Sequence, residues 1–419
     1  MRRLCKFLMF MGSIVLIYMP SLATAEEGKP FEISAQVDNF DFATIVDTDK
    51  PSGISSILDR VAETGATTIL WRLTHGGHLR FQSKLDSHGY PEHINKRRPL
   101  DPRALYGWVR YGIDEPDILR TAMKLCKEKG LKPYIHWCFE EYHGWDCTLS
   151  DFNLEHPQFW SRSVNGKVWP GRCSLSYEPV MAHKLAILDE ALERGVEGIY
   201  IDFWRNGGWI PSKDDYVEPV IASYKKKYGQ NPPSNNEDIR WATHVAGYIT
   251  DFVRQLHKHL DAYQKATGKK VELMVGIPYI APLSNNRPLV TYGTDWQTWV
   301  KEGLIDTLVI QCVDWDKKNP FESTRELCRS VMEVVHGRCR VIWPIQMYPY
   351  TSTGIPQYKE ATGKSTEEIA KALMQMAWEE GADGVTLECV DYDNYSKETR
   401  DLLRALSKKE YRFVRNGGK

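Results

Sequence analysis

Past its first two dozen residues the sequence has no apolar run long enough to cross a bilayer, so no span is expected in the remainder. It also has no charge imbalance. There are 54 Lys and Arg against 55 Asp and Glu, a formal net charge of −1, and the basic residues are dispersed among the acids. Such a chain sets up no field that draws in a polyanion, and nucleic acid is not an expected partner. No glycine-rich phosphate loop follows the first strand-like run, which argues against an open, doubly wound nucleotide-binding sheet. None of the cysteine spacings matches a zinc motif, so no metal ion or other cofactor is expected. His136 and Asp202 alone fall short of a metal-dependent deacetylase ligand set, and the His75-Gly-Gly-His78 stretch has no assignable partners. Linkers, repeats and low-complexity segments that would divide the chain are absent.

What is present begins with Arg2, Arg3 and Lys6, an apolar run, Pro20 and the small-residue stretch Ala23-Thr24-Ala25. This is the pattern of a secretory leader with a cut expected after Ala25, which leaves 26–419 as one domain, secreted or periplasmic. Cys5 leaves with the leader, and eight cysteines remain. In an oxidising compartment Cys147 with Cys173, and Cys328 with Cys339, are candidate disulfides, whereas Cys138, Cys312 and Cys389 sit in apolar strand patterns and read as buried thiols.

Eight β-rich runs alternate with amphipathic helical stretches: ISAQVDN from Ile33, TTILWRL from Thr67, KPYIHWCFE from Lys132, VEGIYIDFW from Val196, VELMVGIPY from Val271, DTLVIQCVD from Asp306, RVIWPIQMY from Arg340 and DGVTLECVD from Asp383. Eight β-then-α units predict an α/β fold, a single closed (β/α)8 TIM barrel. Long polar loops follow the second strand (75–112), third (141–179), fourth (205–238) and fifth (280–294). All lie on the C-terminal side of the strands, where barrels carry their active sites.

In a barrel strand one residue parity faces the lumen and the other packs under the helices. Ile199, Ile201 and Phe203 take the helix side of the fourth strand, which aims Tyr200 and Asp202 inward. The same rule sends Ile135, Trp137 and Phe139 outward, and His136, Cys138, Glu140 and Glu388 inward. Asp38, Arg72, Gln311 and Gln346 join them near the strand tops. Polar groups buried without partners cost several kcal/mol each, so their convergence on one mouth points to a ligand. Mutual pairing, such as Arg72 with Asp38, is the plainer reading of any one of them. Asp202, Glu140 and Glu388 supply the paired carboxylates of glycoside hydrolysis, in which one protonates the leaving oxygen and the other attacks or activates water. Glu141, Asp314 and Asp316 lie just beyond. Fourteen tryptophans and 21 tyrosines include Trp137, Trp204, Trp209 and Trp315 at or beside the strand ends, of which Trp204 and Trp209 are the best placed to stack on a sugar face.

The stretch LSYEPVMAHKLAILDEALERG running into GVEGIYIDFW resembles the fourth-strand signature of glycosyl-hydrolase-like family ten. DWQTWVKEGLIDTLVIQ from Asp295 resembles that family's sixth unit, and KLCKEKGLKPYIHWCFEE its third. The resemblance implies a carbohydrate-active barrel with Asp202 as the fourth-strand acid. Glu197 stands where the family usually has Asp, and QCVDWD replaces a common Pro-hydrophobic-Tyr ending, which implies different sugar contacts. The expected function is hydrolysis of a poly- or oligosaccharide, with Asp202 as nucleophile or base and Glu388 or Glu140 as proton donor. Expected substrate contacts are Asp38, Arg72, His136, Trp137, Trp204, Arg205, Gln311, Asp314, Gln346 and Tyr348. The alternative is a barrel that binds carbohydrate without cleaving it.

Overall fold

A computed structural model describes residues 31–37, 51–75, 78–86, 117–139, 149–203, 209–235, 237–277, 287–311, 318–345, 354–388 and 397–407. Eight parallel strands close into a barrel: β1 (Glu32–Val37), β2 (Thr68–Arg72), β3 (Lys132–Cys138), β4 (Gly198–Asp202), β5 (Glu272–Ile277), β6 (Thr307–Ile310), β7 (Arg340–Ile345) and β8 (Gly384–Glu388). Each pairs with its chain neighbours, and β8 pairs with β1. Seven fall within the runs picked out by their apolar pattern, and β1 begins one residue ahead of its run, at Glu32.

The barrel helices are α1 (Pro51–Glu63), α2 (Ile118–Glu128), α3 (Glu178–Leu192), α4 (Ile239–Thr267), α5 (Trp296–Glu302), α6 (Pro320–Val335), α7 (Thr366–Glu379) and α8 (Lys397–Ser407). In α7 the apolar residues Ile369, Ala370, Leu373, Met374 and Ala377 recur at helical spacing and are buried. Its start is fixed by a capping box, in which Ser365 accepts from the Glu368 backbone and Glu368 accepts from Ser365. Such a cap contributes about 1 kcal/mol, whereas burying Ile369 and Leu373 contributes roughly 1.5–3 kcal/mol each. Packing therefore outweighs capping in holding this helix to the barrel. Among the described residues no helix is long and apolar enough to cross a membrane.

Strand parity sorts the interior into two cores. Ile33, Ile69, Ile135, Ile199, Leu273, Leu308, Val341 and Val385 face outward and fill the layer under the helices. Leu70, Tyr134, Tyr200, Met274, Val309 and Ile342 face inward and plug the lumen. Below the plug, Arg340 bridges Glu32 and Glu272, Thr68 donates to Glu32 at 2.7 Å, and the Tyr134 hydroxyl donates to Glu272. The floor is thus closed by mutually satisfied charges, which leaves the upper end for function.

The third long loop holds more order than its polar composition suggests. A short helix at Asp151–Glu155 leads into an antiparallel hairpin, Trp160–Arg162 with Val168–Cys173. Val164-Asn165 makes its turn, closed by Gly166 N–H donating to the Ser163 carbonyl at 2.8 Å, and Gly166 follows at φ +82°, a conformation that side chains with a Cβ rarely adopt.

Candidate active site

The strand register determines which inward residues share a height. From Asp202, hydrogen-bonded partners run through Gly276, Val309 and Ile342 to Gly384 on β8. In the other direction, Gly198, four residues below Asp202, runs through Tyr134, Leu70 and Gln36 to Glu388. The level path from Asp202 in that direction therefore arrives four residues beyond Glu388. Because the strands are tilted, the point directly opposite lies midway between the two arrivals. That midpoint is Glu388. The same averaging puts Arg72 on β2 and Gln311 on β6 at this height, so Arg72, Asp202, Gln311 and Glu388 form one layer contributed by alternate strands. The layer below it, Leu70, Tyr200, Val309 and Thr386, is mostly apolar.

All four polar residues are buried: Arg72 and Asp202 are 0 % exposed, Gln311 3 % and Glu388 6 %. Arg72 donates through Nε to the Thr74 carbonyl at 2.7 Å, which turns its guanidinium over the top of β2. Gln311 donates to the Tyr200 hydroxyl. Tyr200 can lean across the lumen because its neighbour on β5 is Gly276, where an added Cβ would meet the tyrosine ring carbons at 2.8 Å. Nearby, Gln36 and Thr386 are linked at 3.4 Å.

β3 adds two more groups beside Asp202. His136 Nε2 lies 2.9 Å from Asp202 Oδ2, and Cys138 Sγ lies 3.3 Å from the same nitrogen and 3.8 Å from the same oxygen. Cys138 is the direct register partner of Asp202. The sequence pattern identified Cys138 only as a buried thiol. Its inward parity shared with His136 was visible, but the β3–β4 register that sets it against Asp202 was not.

Trp137 does not reach this mouth. It is 3 % exposed in the layer under the helices, edge-on to Phe139 at 5.5 Å, with the Lys184 ammonium 5.7 Å from its ring. Its expected role as a sugar contact is replaced by one in packing, because odd positions of β3 point away from the lumen. Trp209 is 8 % exposed and lines a small cleft with Phe203, Tyr248, Tyr292 and Asp215, and the Arg172 guanidinium sits 5.5 Å from its ring. Asp38, Glu140, Trp204, Arg205, Asp314, Gln346 and Tyr348 lie outside the described residues, as do Glu141, Trp315 and Asp316.

The expected Cys328–Cys339 disulfide is absent. Cys328 is buried in α6 and Cys339 precedes β7, and burial pushes both thiols up to about 12. Cys173 donates to the Asn153 side chain at 3.0 Å, and Cys147 lies outside the described residues.

Several solved structures show partial similarity to this chain. The galactosidase domain of an alpha-galactosidase-sucrose kinase is 12% identical, covering 91% of this chain with a TM-score of 0.46, and this chain spans only 40% of its length. A noncanonic maltogenic alpha-amylase from Thermotoga neapolitana is 12% identical over 91% of this chain and 76% of its own, with a TM-score of 0.47. An endo-beta1,6-glucanase is 11% identical over 87% and 67%, with a TM-score of 0.44. At these identities and TM-scores the likeness carries nothing about activity or substrate. No curated protein matches the chain. Residues 176–336, which carry β4 with Asp202 and continue through β5 and β6, match the model of the glycosyl hydrolase-like 10 family.

Proposed function

We propose that this chain is a glycoside hydrolase that cleaves a poly- or oligosaccharide lying across the barrel mouth. The observation that carries the reading is the all-polar layer in which Asp202 and Glu388 stand on opposite strands at one height. Two carboxylates on either side of a sugar suit the reaction. One protonates the glycosidic oxygen as the bond to the anomeric carbon breaks, and the other attacks that carbon or removes a proton from attacking water. Asp202 is assigned the second role, and Glu388 or Glu140 the first. His136, hydrogen-bonded to Asp202, fixes the orientation of the carboxylate, and Arg72 and Gln311 complete the ring that meets the sugar hydroxyls. The family match over the unit that carries Asp202 supports the same class of chemistry. The leader pattern over residues 1–25 supports delivery to the periplasm or beyond.

The complete burial of Asp202 against His136 favours a second reading, a barrel that binds carbohydrate without cleaving it. Incubating the purified protein with a panel of polysaccharides and following the released anomers by NMR separates the two. Hydrolysis predicts a new anomeric signal of one configuration on at least one glycan. Retention of an oligosaccharide with no product on any glycan favours the binder.

A further inference from the structure

His136 Nε2, Cys138 Sγ and Asp202 Oδ2 all lie within 4.8 Å of one another, and all three residues are buried. One nitrogen, one sulfur and one oxygen facing a common point is unlike a catalytic relay. In a nucleophile–His–acid relay the acid and the nucleophile occupy different ring nitrogens of the histidine. Here the carboxylate and the thiol both approach Nε2, at 2.9 Å and 3.3 Å. Convergence on one point is instead the geometry of a coordination site. Zinc holds nitrogen at 2.0–2.1 Å, sulfur at about 2.3 Å and oxygen at 2.0–2.2 Å, so tetrahedral donors stand about 3.4–3.6 Å apart. The separations found, 2.9, 3.3 and 3.8 Å, bracket that range. The hydrogen-bonded His136–Asp202 pair has to open by about half an ångström, and the two separations to Cys138 have to shift by about 0.1–0.3 Å.

We propose that these three side chains bind a thiophilic divalent cation of the zinc class, with the fourth coordination position left to water. The β3–β4 register makes the site: His136 and Cys138 sit on one face of β3, and Asp202 stands level with Cys138 on the adjacent strand. On binding, the Cys138 thiol releases its proton to solvent and the imidazole carries its remaining proton on Nδ1, freeing Nε2 to coordinate. A thiolate ligand selects zinc-like ions over magnesium or calcium. Because Asp202 is a ligand, the bound ion withdraws the carboxylate from attack. Zinc therefore inhibits the hydrolysis proposed above. The inhibition rests on that reading, and the binding does not.

The test uses the full chain, stripped of metal and titrated with Co2+ and then Zn2+. One equivalent of Co2+ is expected to give a thiolate-to-cobalt charge-transfer band, and Zn2+ to displace it. Cys138→Ala is expected to lose the band and to bind Zn2+ at least about 100-fold more weakly, since even partners outside the ligand set commonly matter 10- to 100-fold. Zn2+ should raise the melting temperature of the parent chain and not that of the variant. Cys138 has no part in the proposed hydrolysis, so a folded Cys138→Ala protein should cleave glycan without zinc inhibition. A cobalt complex without the charge-transfer band, or equal Zn2+ affinity in parent and variant, overturns the site. If the band appears but no glycan is cleaved, the metal site stands and the hydrolytic reading falls.

Discussion

Replacing Gly276 by alanine tests how the lumen is packed beneath the polar layer. A Cβ at this position meets Tyr200 Cε2 and Cζ at 2.8 Å, where ordinary contacts begin near 3.4 Å, and it approaches the hydroxyl more closely still. Tyr200 must therefore move by more than half an ångström within a plug formed by Leu70, Tyr134, Met274, Val309 and Ile342. Inserting one methyl into a core this tight costs about 1–3 kcal/mol. At roughly 2–4 °C per kcal/mol for domains of 150–250 residues, and somewhat less for a longer chain, the melting temperature falls by several degrees. Tyr200→Phe removes the closest atom but also the acceptor for Gln311, and costs about 0.5–1.5 kcal/mol alone. The double variant should be less destabilised than the sum of the two by at least about 0.5 kcal/mol, because losing the hydroxyl removes the closest contact of the new methyl and leaves only the ring carbons to shift. Urea unfolding of the four proteins measures the cycle. Gly276→Ala within about 0.5 kcal/mol of the parent, or strict additivity, refutes the placement of Tyr200 across β5.

Two further outcomes follow from the packing. Trp137→Ala should cost about 3–5 kcal/mol in urea unfolding, with KM of the remaining folded protein unchanged, and a raised KM at parental stability would return Trp137 to the sugar site. His244 is held below its ordinary 6.5, chiefly by burial among Tyr224, Trp241 and Tyr248 and further by Lys227, with the Val220 carbonyl opposing. The unfolded chain then takes up this proton first, so stability present above 6.5 is lost as pH falls through 6.5 and levels off below the folded value. His244→Gln should lessen the drop in the urea midpoint between about pH 7.5 and about pH 5.5, and an identical drop in parent and variant would contradict this.

The eight strands were legible because each combines β-rich apolar residues with a strict two-residue parity, and the same parity put Arg72, His136, Asp202, Gln311 and Glu388 on the lumen side. Parity gives a direction and not a neighbour. That Cys138 meets Asp202, or that Glu388 stands opposite Asp202 at the same height, follows from register and shear, which no single strand encodes. Trp137 shows the reverse case. Its own parity pointed outward, and its place near a strand end gave it a role that the two faces of a strand do not allow. The Trp160–Cys173 hairpin was hidden by a polar composition, although Asn165-Gly166 was its available signal. The Cys328–Cys339 pairing was misread, because Cys328 lies inside a helix packed on the barrel and disulfide geometry depends on where side chains aim.

The assignment of Asp202 is tested most directly by Asp202→Asn, assayed for turnover on the best glycan of the panel alongside its melting temperature. The amide is nearly isosteric and can still pair with His136. The melting temperature should therefore move by no more than a few degrees, while kcat falls on the order of 10³–10⁴-fold through loss of the attacking or water-activating carboxylate. A folded Asp202→Asn protein with near-parental kcat would contradict the assignment and move the chemistry to the other carboxylates of the mouth.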